Sequence, residues 1–390
     1  MKKFIPAIIS IAIFLLFICL PPDLISKKSP LKVTTSDGAN LNDTTFKGRV
    51  IQENLFKSQE YYPILGSSEL EKPDPFHPIH MFKAMDTGKK PFLIGTGGST
   101  DIIHAINIGS KVGEIKGKKL AIIISPQWFT DKGVDDNNFS ARYSELQLDD
   151  LLNNEHLSKA FKQKMSRRLM DFTATKDKRL VEYYANDGDR HNLTVEEKIY
   201  NNLMKKNDAV KSVLMLSNNV LQRSKTVDIK GKSWDEIYQI AEQYGKHHST
   251  NNIYGMDNAY YKKILHHQKK LYRNNEFFIN SKEFDDLDLL LEALKEAEAD
   301  PLFIVLPVNG KWYDHINLPY ERRQPVYQKI NDHIYKYGFK TYDMSGMDYM
   351  PYVIKDAVHI GWEGWAFADA AMILHMQGKY PDMPVNKFNH

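Results

Sequence analysis

Three short, uninterrupted apolar runs, each stopping at a glycine or a serine, constrain this chain more than any other feature. Tyr61-Tyr62-Pro63-Ile64-Leu65 leads into Gly66-Ser67-Ser68, Pro91-Phe92-Leu93-Ile94 into Gly95-Thr96-Gly97-Gly98-Ser99, and Leu120-Ala121-Ile122-Ile123-Ile124 into Ser125-Pro126-Gln127-Trp128. A strand with one wet face alternates apolar and polar residues. A run with no polar member must be covered on both faces, as in a parallel sheet between helices. Ile102, Ile103, Ile106 and Ile108 between the second and third runs supply the apolar stripe of a crossover helix. Further on come a helical pattern over Phe284–Ala299, a fourth apolar run at Leu302–Leu306, a helix near Tyr320–Tyr337, a strand near Phe339–Asp343 and a helical stretch from Trp362 to Met376. The alternation predicts an α/β fold, a doubly wound α/β/α sandwich with a mainly parallel sheet.

From about Arg142 to Leu271 the texture changes to Lys, Glu, Asn and Leu at helical spacing, which predicts a helical insertion over about 142–271. At the other end, Lys2 and Lys3 precede an uncharged run from Phe4 to Leu20. As a helix it would extend about 25 Å, at the short end of what a bilayer core requires. No small-x-small cleavage site follows, so residues 1–25 read as an uncleaved single-pass membrane anchor with the rest of the chain outside the cell. The polar stretch 26–47 reads as a juxtamembrane linker and 48–390 as the folded domain that carries the insertion. The chain has 52 Lys+Arg against 49 Asp+Glu and a formal charge of +3, so no basic face argues for a nucleic-acid partner. Its single cysteine, Cys19, excludes an intrachain disulfide and any Cys-rich metal site.

In sheets of this type ligands bind outside the carboxyl ends of the strands. The segments Gly66-Ser67-Ser68, Gly97-Gly98-Ser99, Ser125–Trp128, Asn309 and Asp356–His359 all follow predicted strands. A serine hydroxyl needs an imidazole to take its proton and a carboxylate to orient that imidazole. Three Asp-x-x-His spacings occur: Asp74/His77, Asp101/His104 and Asp356/His359. Only the third falls in a loop between the last strand and the last helix. Taken singly, these motifs read first as turns, caps and packed loop residues and only second as catalytic. His77-x-x-His80 with Asp74, and the pairs His247-His248 and His266-His267, follow no recognised zinc spacing, so no metal is expected. No Walker loop is present, and Gly95-Thr96-Gly97-Gly98 lacks the following glycine of a dinucleotide loop, so no cofactor is expected. The amides of that turn remain suited to an oxyanion.

Taken in order, Gly66-Ser67-Ser68-Glu69-Leu70, Gly97-Gly98-Ser99-Thr100-Asp101, Ile124-Ser125-Pro126-Gln127-Trp128-Phe129, Asn309-Gly310-Lys311-Trp312-Tyr313-Asp314 and Asp356-Ala357-Val358-His359-Ile360-Gly361-Trp362 resemble the DltD family of D-alanyl-lipoteichoic acid biosynthesis proteins of Gram-positive bacteria. The resemblance runs nearly end to end. It implies a fold like that of the SGNH hydrolases, with Ser68 as nucleophile, Ser67 replacing the usual Asp before it, His359 as base and Asp356 as its partner. It also implies oxyanion donors from the nucleophile's own amide, from Gly97 or Gly98, and from an Asn after the third strand. Here Ser125-Pro126-Gln127 departs from that pattern, which leaves Gln127 or Asn309 for the third donor.

The resemblance further implies D-alanylation at the outer face of the membrane. The partners would be lipoteichoic acid, a membrane acyltransferase and a D-alanyl carrier protein. Transfer through a D-alanyl-Ser68 intermediate is the leading expectation. A surface esterase or thioesterase, and a non-catalytic anchored scaffold, are the alternatives. Lys164-Met165-Ser166-Arg167-Arg168 reads first as a solvated helix face and second as a guide for the phosphates of teichoic acid.

Overall fold

The computed structural model describes residues 5–27, 43–72, 74–176, 178–186, 188, 194–214, 226–267 and 273–380. Among these, five strands form one parallel sheet: β1 (Tyr61–Leu65), β2 (Lys90–Ile94), β3 (Lys119–Ile124), β4 (Asp300–Val305) and β5 (Lys340–Asp343), in the order β2-β1-β3-β4-β5. Leu65 lies level with Ile94 of β2 and with Ile122 of β3, and Ile124 lies level with Val305 of β4. The carboxyl ends therefore share one edge.

Successive side chains of each strand feed opposite cores. Tyr61, Leu65, Phe92, Ile94, Leu120, Ile122, Ile124, Phe303 and Val305 pack under the helices Val50–Lys57, Asp101–Gly109, Glu283–Glu296 and Tyr320–Lys336. Tyr62, Ile64, Leu93, Ala121, Ile123, Leu302 and Ile304 pack under Pro78–Ala84, Trp234–His248 and Trp362–Met376. Both faces are dry, so an alternating polar pattern has no place, and the runs read from the sequence are the result. Each fully buried Ile or Leu contributes about 2–3 kcal/mol of transfer free energy. The connection leaving β1 crosses one face through Pro78–Ala84, and the connection into β3 crosses the other through Asp101–Gly109. The winding reverses between β1 and β3, the position where such sheets open a crevice at their carboxyl edge.

The helical insertion serves both layers. Glu145–Leu152, Lys159–Leu169 and Lys178–Ala185 extend the first core, and Trp234–His248 returns to the second. In the basic stretch of Lys159–Leu169, Lys164 and Arg167 are exposed; Lys164 pairs with Glu292 at 2.8 Å, and Arg168 with buried Asp286 at 2.7 Å. Arg167 donates instead to the Ala185 carbonyl at 3.3 Å.

Much of the predicted linker, 28–42, lies outside the described residues, but its end folds. Asp43–Phe46 is a short helix with Phe46 in the core, and the Gln52 amide donates to the carbonyls of Thr45 and Phe46. The N-terminal apolar run forms a helix over Ile5–Cys19, 15 residues and about 22 Å long, none of them buried. No helix among the described residues is long and apolar enough to cross a membrane.

Candidate active site

The turn after β1 is built on a close approach of two backbones. Gly95, at φ +139°, lies so near the Gly66 carbonyl that a Cβ at position 95 would sit 1.8 Å from its oxygen. Glycine is therefore required there. The Gly66 amide donates to the Ile94 carbonyl at 3.1 Å, and the Gly66 carbonyl accepts from the buried His104 ring at 3.1 Å. Burial drives the His104 pKa down to about 4, so the ring is neutral. Past this clamp the chain enters a 3₁₀ turn, Ser68–Glu71, that lifts Ser68 to partial exposure while Ser67 stays buried.

The residues that meet Ser68 come from the far end of the sequence. A closed loop follows β5. Its sides are joined at Ile354 and Ile360, and the Lys355 amide donates to the His359 carbonyl at 3.0 Å. The Asn309 amide, after β4, donates to the Ala357 carbonyl at 3.0 Å, and the Asp257 amide, in the insertion, donates to the Lys355 carbonyl at 2.8 Å. The loop is thus pinned over the strand ends. His359 Nε2 lies 2.8 Å from Ser68 Oγ, and His359 Nδ1 lies 2.7 Å from Asp356 Oδ2. Asp356 Oδ1 accepts the amides of Val358 and His359, both at 2.9 Å. Burial works to raise the Asp356 pKa, but the His359 bond and charge together with the two amides outweigh it and hold the group below its ordinary value. Asp356 is a charged acceptor fixed on one side by backbone, with its other oxygen on the imidazole.

The other two Asp-x-x-His spacings make no such pair. His104 turns its Nε2 to Gly66, and its Nδ1 has no partner. His77 caps the helix Pro78–Ala84 by accepting the Ile79 amide, and Asp74 pairs with Lys355 at 3.3 Å. Burial, then the charge of Lys355, pushes the His77 pKa down to about 3. No group of three or more His, Cys, Asp or Glu among the described residues is arranged to hold a metal ion. The side chains of His266 and His267 lie outside the described residues.

The oxyanion candidates divide. Gly97 lies against the nucleophile: a methyl group there would sit 3.3 Å from Ser68 Cβ, and its amide donates to Glu71 Oε2 at 2.6 Å. Gly98, at φ +89°, donates its amide to Ser67 Oγ at 3.0 Å. Asn309 commits both ends of its side chain to the fold. Its Oδ1 accepts the Trp312 amide at 3.1 Å as the cap of Gly310–His315, and its Nδ2 donates to the Tyr254 carbonyl at 2.9 Å. Gln127 is buried in the turn after β3, with its Oε1 unpartnered.

Two acids beside Ser68 escaped the sequence reading. Glu69 is buried under the turn, accepts the Ser67 amide at 2.5 Å and receives the Ser125 hydroxyl at 3.4 Å. Burial pushes its pKa up against those bonds and the charge of His359. Glu71 stands exposed on the other side of the turn. Tyr260, in the insertion, has its pKa raised to about 12 by burial and then by the charge of Asp356, which sets it beside the loop. The signal for the two acids was their spacing one and three residues after Ser68, informative only once the turn is known to be 3₁₀.

A serine, a histidine and an aspartate are thus bonded in line at the carboxyl edge of this parallel sheet, where an imidazole can take a hydroxyl's proton. Residues 38–377 match the family model described as DltD protein, and the chain belongs to the DltD family. It is 39% identical over 387 residues to Protein DltD of Staphylococcus aureus (strain NCTC 8325 / PS 47), covering 99% of both chains. It is 36% identical over 382 residues to Protein DltD of Bacillus subtilis (strain 168), covering 95% of this chain and 97% of that one. Protein DltD of Lacticaseibacillus rhamnosus is 29% identical over 343 residues, 85% of this chain and 81% of that one. The role of the chain lies in D-alanyl-lipoteichoic acid biosynthesis.

Proposed function

We propose that the chain is a serine acyltransferase that moves D-alanyl groups onto lipoteichoic acid through an ester on Ser68. Ser68 Oγ bonds to the carbonyl carbon of a D-alanyl ester or thioester as His359 Nε2 takes its proton. Collapse breaks the bond to the donor oxygen or sulfur, which leaves with that proton. A glycerol or sugar hydroxyl of the teichoic acid then attacks the D-alanyl-Ser68 ester and gives its proton to His359, which returns it to Ser68 Oγ. Asp356 holds the imidazole in the tautomer with Nδ1 protonated and stabilises the imidazolium. The Ser68 and Gly97 amides receive the developing oxyanion.

The observation that carries this reading is the bonded line Ser68–His359–Asp356, at 2.8 and 2.7 Å. The helix Ile5–Cys19 is apolar all round, and a helix of that kind is stable when lipid or protein covers it. It supports a chain attached at the outer face of the cell membrane, where a membrane acyltransferase and a D-alanyl carrier protein would be its partners. Tethering would keep the domain at a high effective concentration near a membrane-bound polymer.

A fluorophosphonate probe tests the nucleophile: it should label the wild-type chain at Ser68 and leave Ser68→Ala unlabelled. Incubation with a D-alanyl donor should then place D-alanine on teichoic acid when the polymer is present. Release of free D-alanine at the same rate with and without polymer would make water the acceptor. A wild-type chain that stays unlabelled, or a Ser68→Ala chain that still restores surface D-alanine to a deletion strain, would overturn the enzymatic reading.

A further inference from the structure

We infer that Glu71 recognises the α-ammonium of the transferred acyl group and that its carboxylate occupies the Gly97 oxyanion amide until that ammonium draws it away. This rests on the acyl-transfer reading of Ser68. In the free chain the Gly97 N–H donates to Glu71 Oε2 at 2.6 Å. A methyl group at Gly97 would lie 3.2 Å from Glu71 Oε2 and 3.3 Å from Ser68 Cβ, so the carboxylate and the nucleophile flank one small space. Their common turn explains this. Glu71 closes the 3₁₀ helix that Ser68 opens, and residues three apart in such a helix stack on one side. Glu71 is exposed, and no cation among the described residues pairs with it. Glu69, the other acid of the turn, is buried and already holds the Ser67 amide, so it is not free to play this part.

A carboxylate on an oxyanion donor has two effects. It takes the amide that the acyl oxygen requires, and its charge opposes the charge that develops on that oxygen. A neutral acyl group meets both obstacles. An aminoacyl group carries its ammonium on the carbon next to the reacting carbonyl, within reach of the carboxylate when the carbonyl oxygen lies at Gly97. Glu71 can then exchange one amide for a charge-assisted bond to the ammonium, which frees the Gly97 N–H and neutralises the opposing charge. The device selects acyl groups by a positive charge beside the carbonyl.

The test compares D-alanyl and isobutyryl thioesters, the second carrying a methyl in place of the ammonium. Acyl-Ser68 formation by the full-length chain is followed by mass spectrometry for wild type, Glu71→Gln and Glu71→Asp. The wild type should prefer the D-alanyl donor by about a hundredfold. Glu71→Gln should shrink that preference at least about tenfold, with the D-alanyl rate falling and the isobutyryl rate rising. Glu71→Asp should fall between the two. A rise with the neutral donor is an outcome that damage to the fold does not produce. An unchanged preference in Glu71→Gln, with Ser68 reactive to a fluorophosphonate, overturns the role of Glu71 and leaves the acyl-transfer reading standing. Failure of the wild type to react with the fluorophosphonate or with either donor overturns both.

Discussion

Ser68 Oγ and His359 Nε2 lie 2.8 Å apart although 291 positions separate them. Two anchors produce that contact. Gly95 lets β2 press against the turn after β1 and aims Ser68 outward. The Asn309 amide holds Ala357, and with it the loop between Asp356 and His359, over the end of β4. Each half is held by backbone hydrogen bonds of its own, Gly66 to Ile94 on one side and Lys355 to His359 on the other.

The Asp356 carboxylate accepts two amides as well as the ring N–H, so a change of charge without a change of shape isolates its effect on the imidazole. Asp356→Asn retains an oxygen for the amides but presents an NH₂ to Nδ1, which favours the tautomer with Nε2 protonated and unable to accept from Ser68. Fluorophosphonate labelling of Ser68 should slow by about 10³–10⁴, with the far-ultraviolet circular dichroism unchanged.

His104 is a neutral ring in the fold and a titrating one in the unfolded chain. Its native pKa of about 4 lies below the ordinary 6.5. Its contribution to stability is complete above pH 6.5 and is lost as pH falls toward 4. The slope is about 1.4 kcal/mol per pH unit. His104→Gln keeps a donor for the Gly66 carbonyl but does not titrate. Urea unfolding of the two proteins at pH 7.5 and pH 5 should show the wild type losing about 2 kcal/mol relative to the variant. Taking the difference removes the opposing titration of the buried carboxyls, Glu69 and Glu283 among them, whose pKa values burial raises.

The first four strands were legible because burial on both faces leaves them apolar past their first residue, with Lys90, Lys119 and Asp300 only at the starts, and Tyr61–Leu65 and the helix Trp362–Met376 have the bounds that the sequence suggests. Val50–Lys57 and Pro78–Ala84 were not read. The first is a single short amphipathic helix. The second begins among prolines that look like breakers, although proline at the first helical position is favourable. The strand order was beyond reach, since pairing between β1 and β3 leaves no local mark. Ser68, Asp356 and His359 were readable as strand-end residues in one family order. Glu71 was not, because its meaning depends on the handed turn that brings position i+3 beside the nucleophile, and on Gly97 from another strand.

Gly95 has no tolerated replacement. Alanine there would set a Cβ 1.8 Å from the Gly66 oxygen at φ +139°, a conformation and a contact that both fail. Gly95→Ala should lower stability by about 3 kcal/mol or more. Because the displaced element is the turn carrying Ser68, labelling of Ser68 should fall even in the fraction that remains folded, as read by native gel separation before detection.

Asn309 stood among the oxyanion candidates, and its contacts separate that role from a structural one. An oxyanion donor contributes about 10²–10³ in kcat and little to stability, because its hydrogen bond forms with substrate. Asn309 instead caps Gly310–His315 through Oδ1 and ties the Tyr254 carbonyl of the insertion through Nδ2, both in the free chain. Loss of a cap costs about 1 kcal/mol, and loss of a second hydrogen bond about as much again. The Asn309 backbone amide that holds Ala357 survives substitution. Asn309→Ala should therefore lower the unfolding free energy by about 2 kcal/mol and slow Ser68 acylation by less than about tenfold, through a looser loop. Urea unfolding and acylation rates measured on the same preparation decide it: a rate loss of a hundredfold at unchanged stability would return Asn309 to the oxyanion site and displace Gly97 from it.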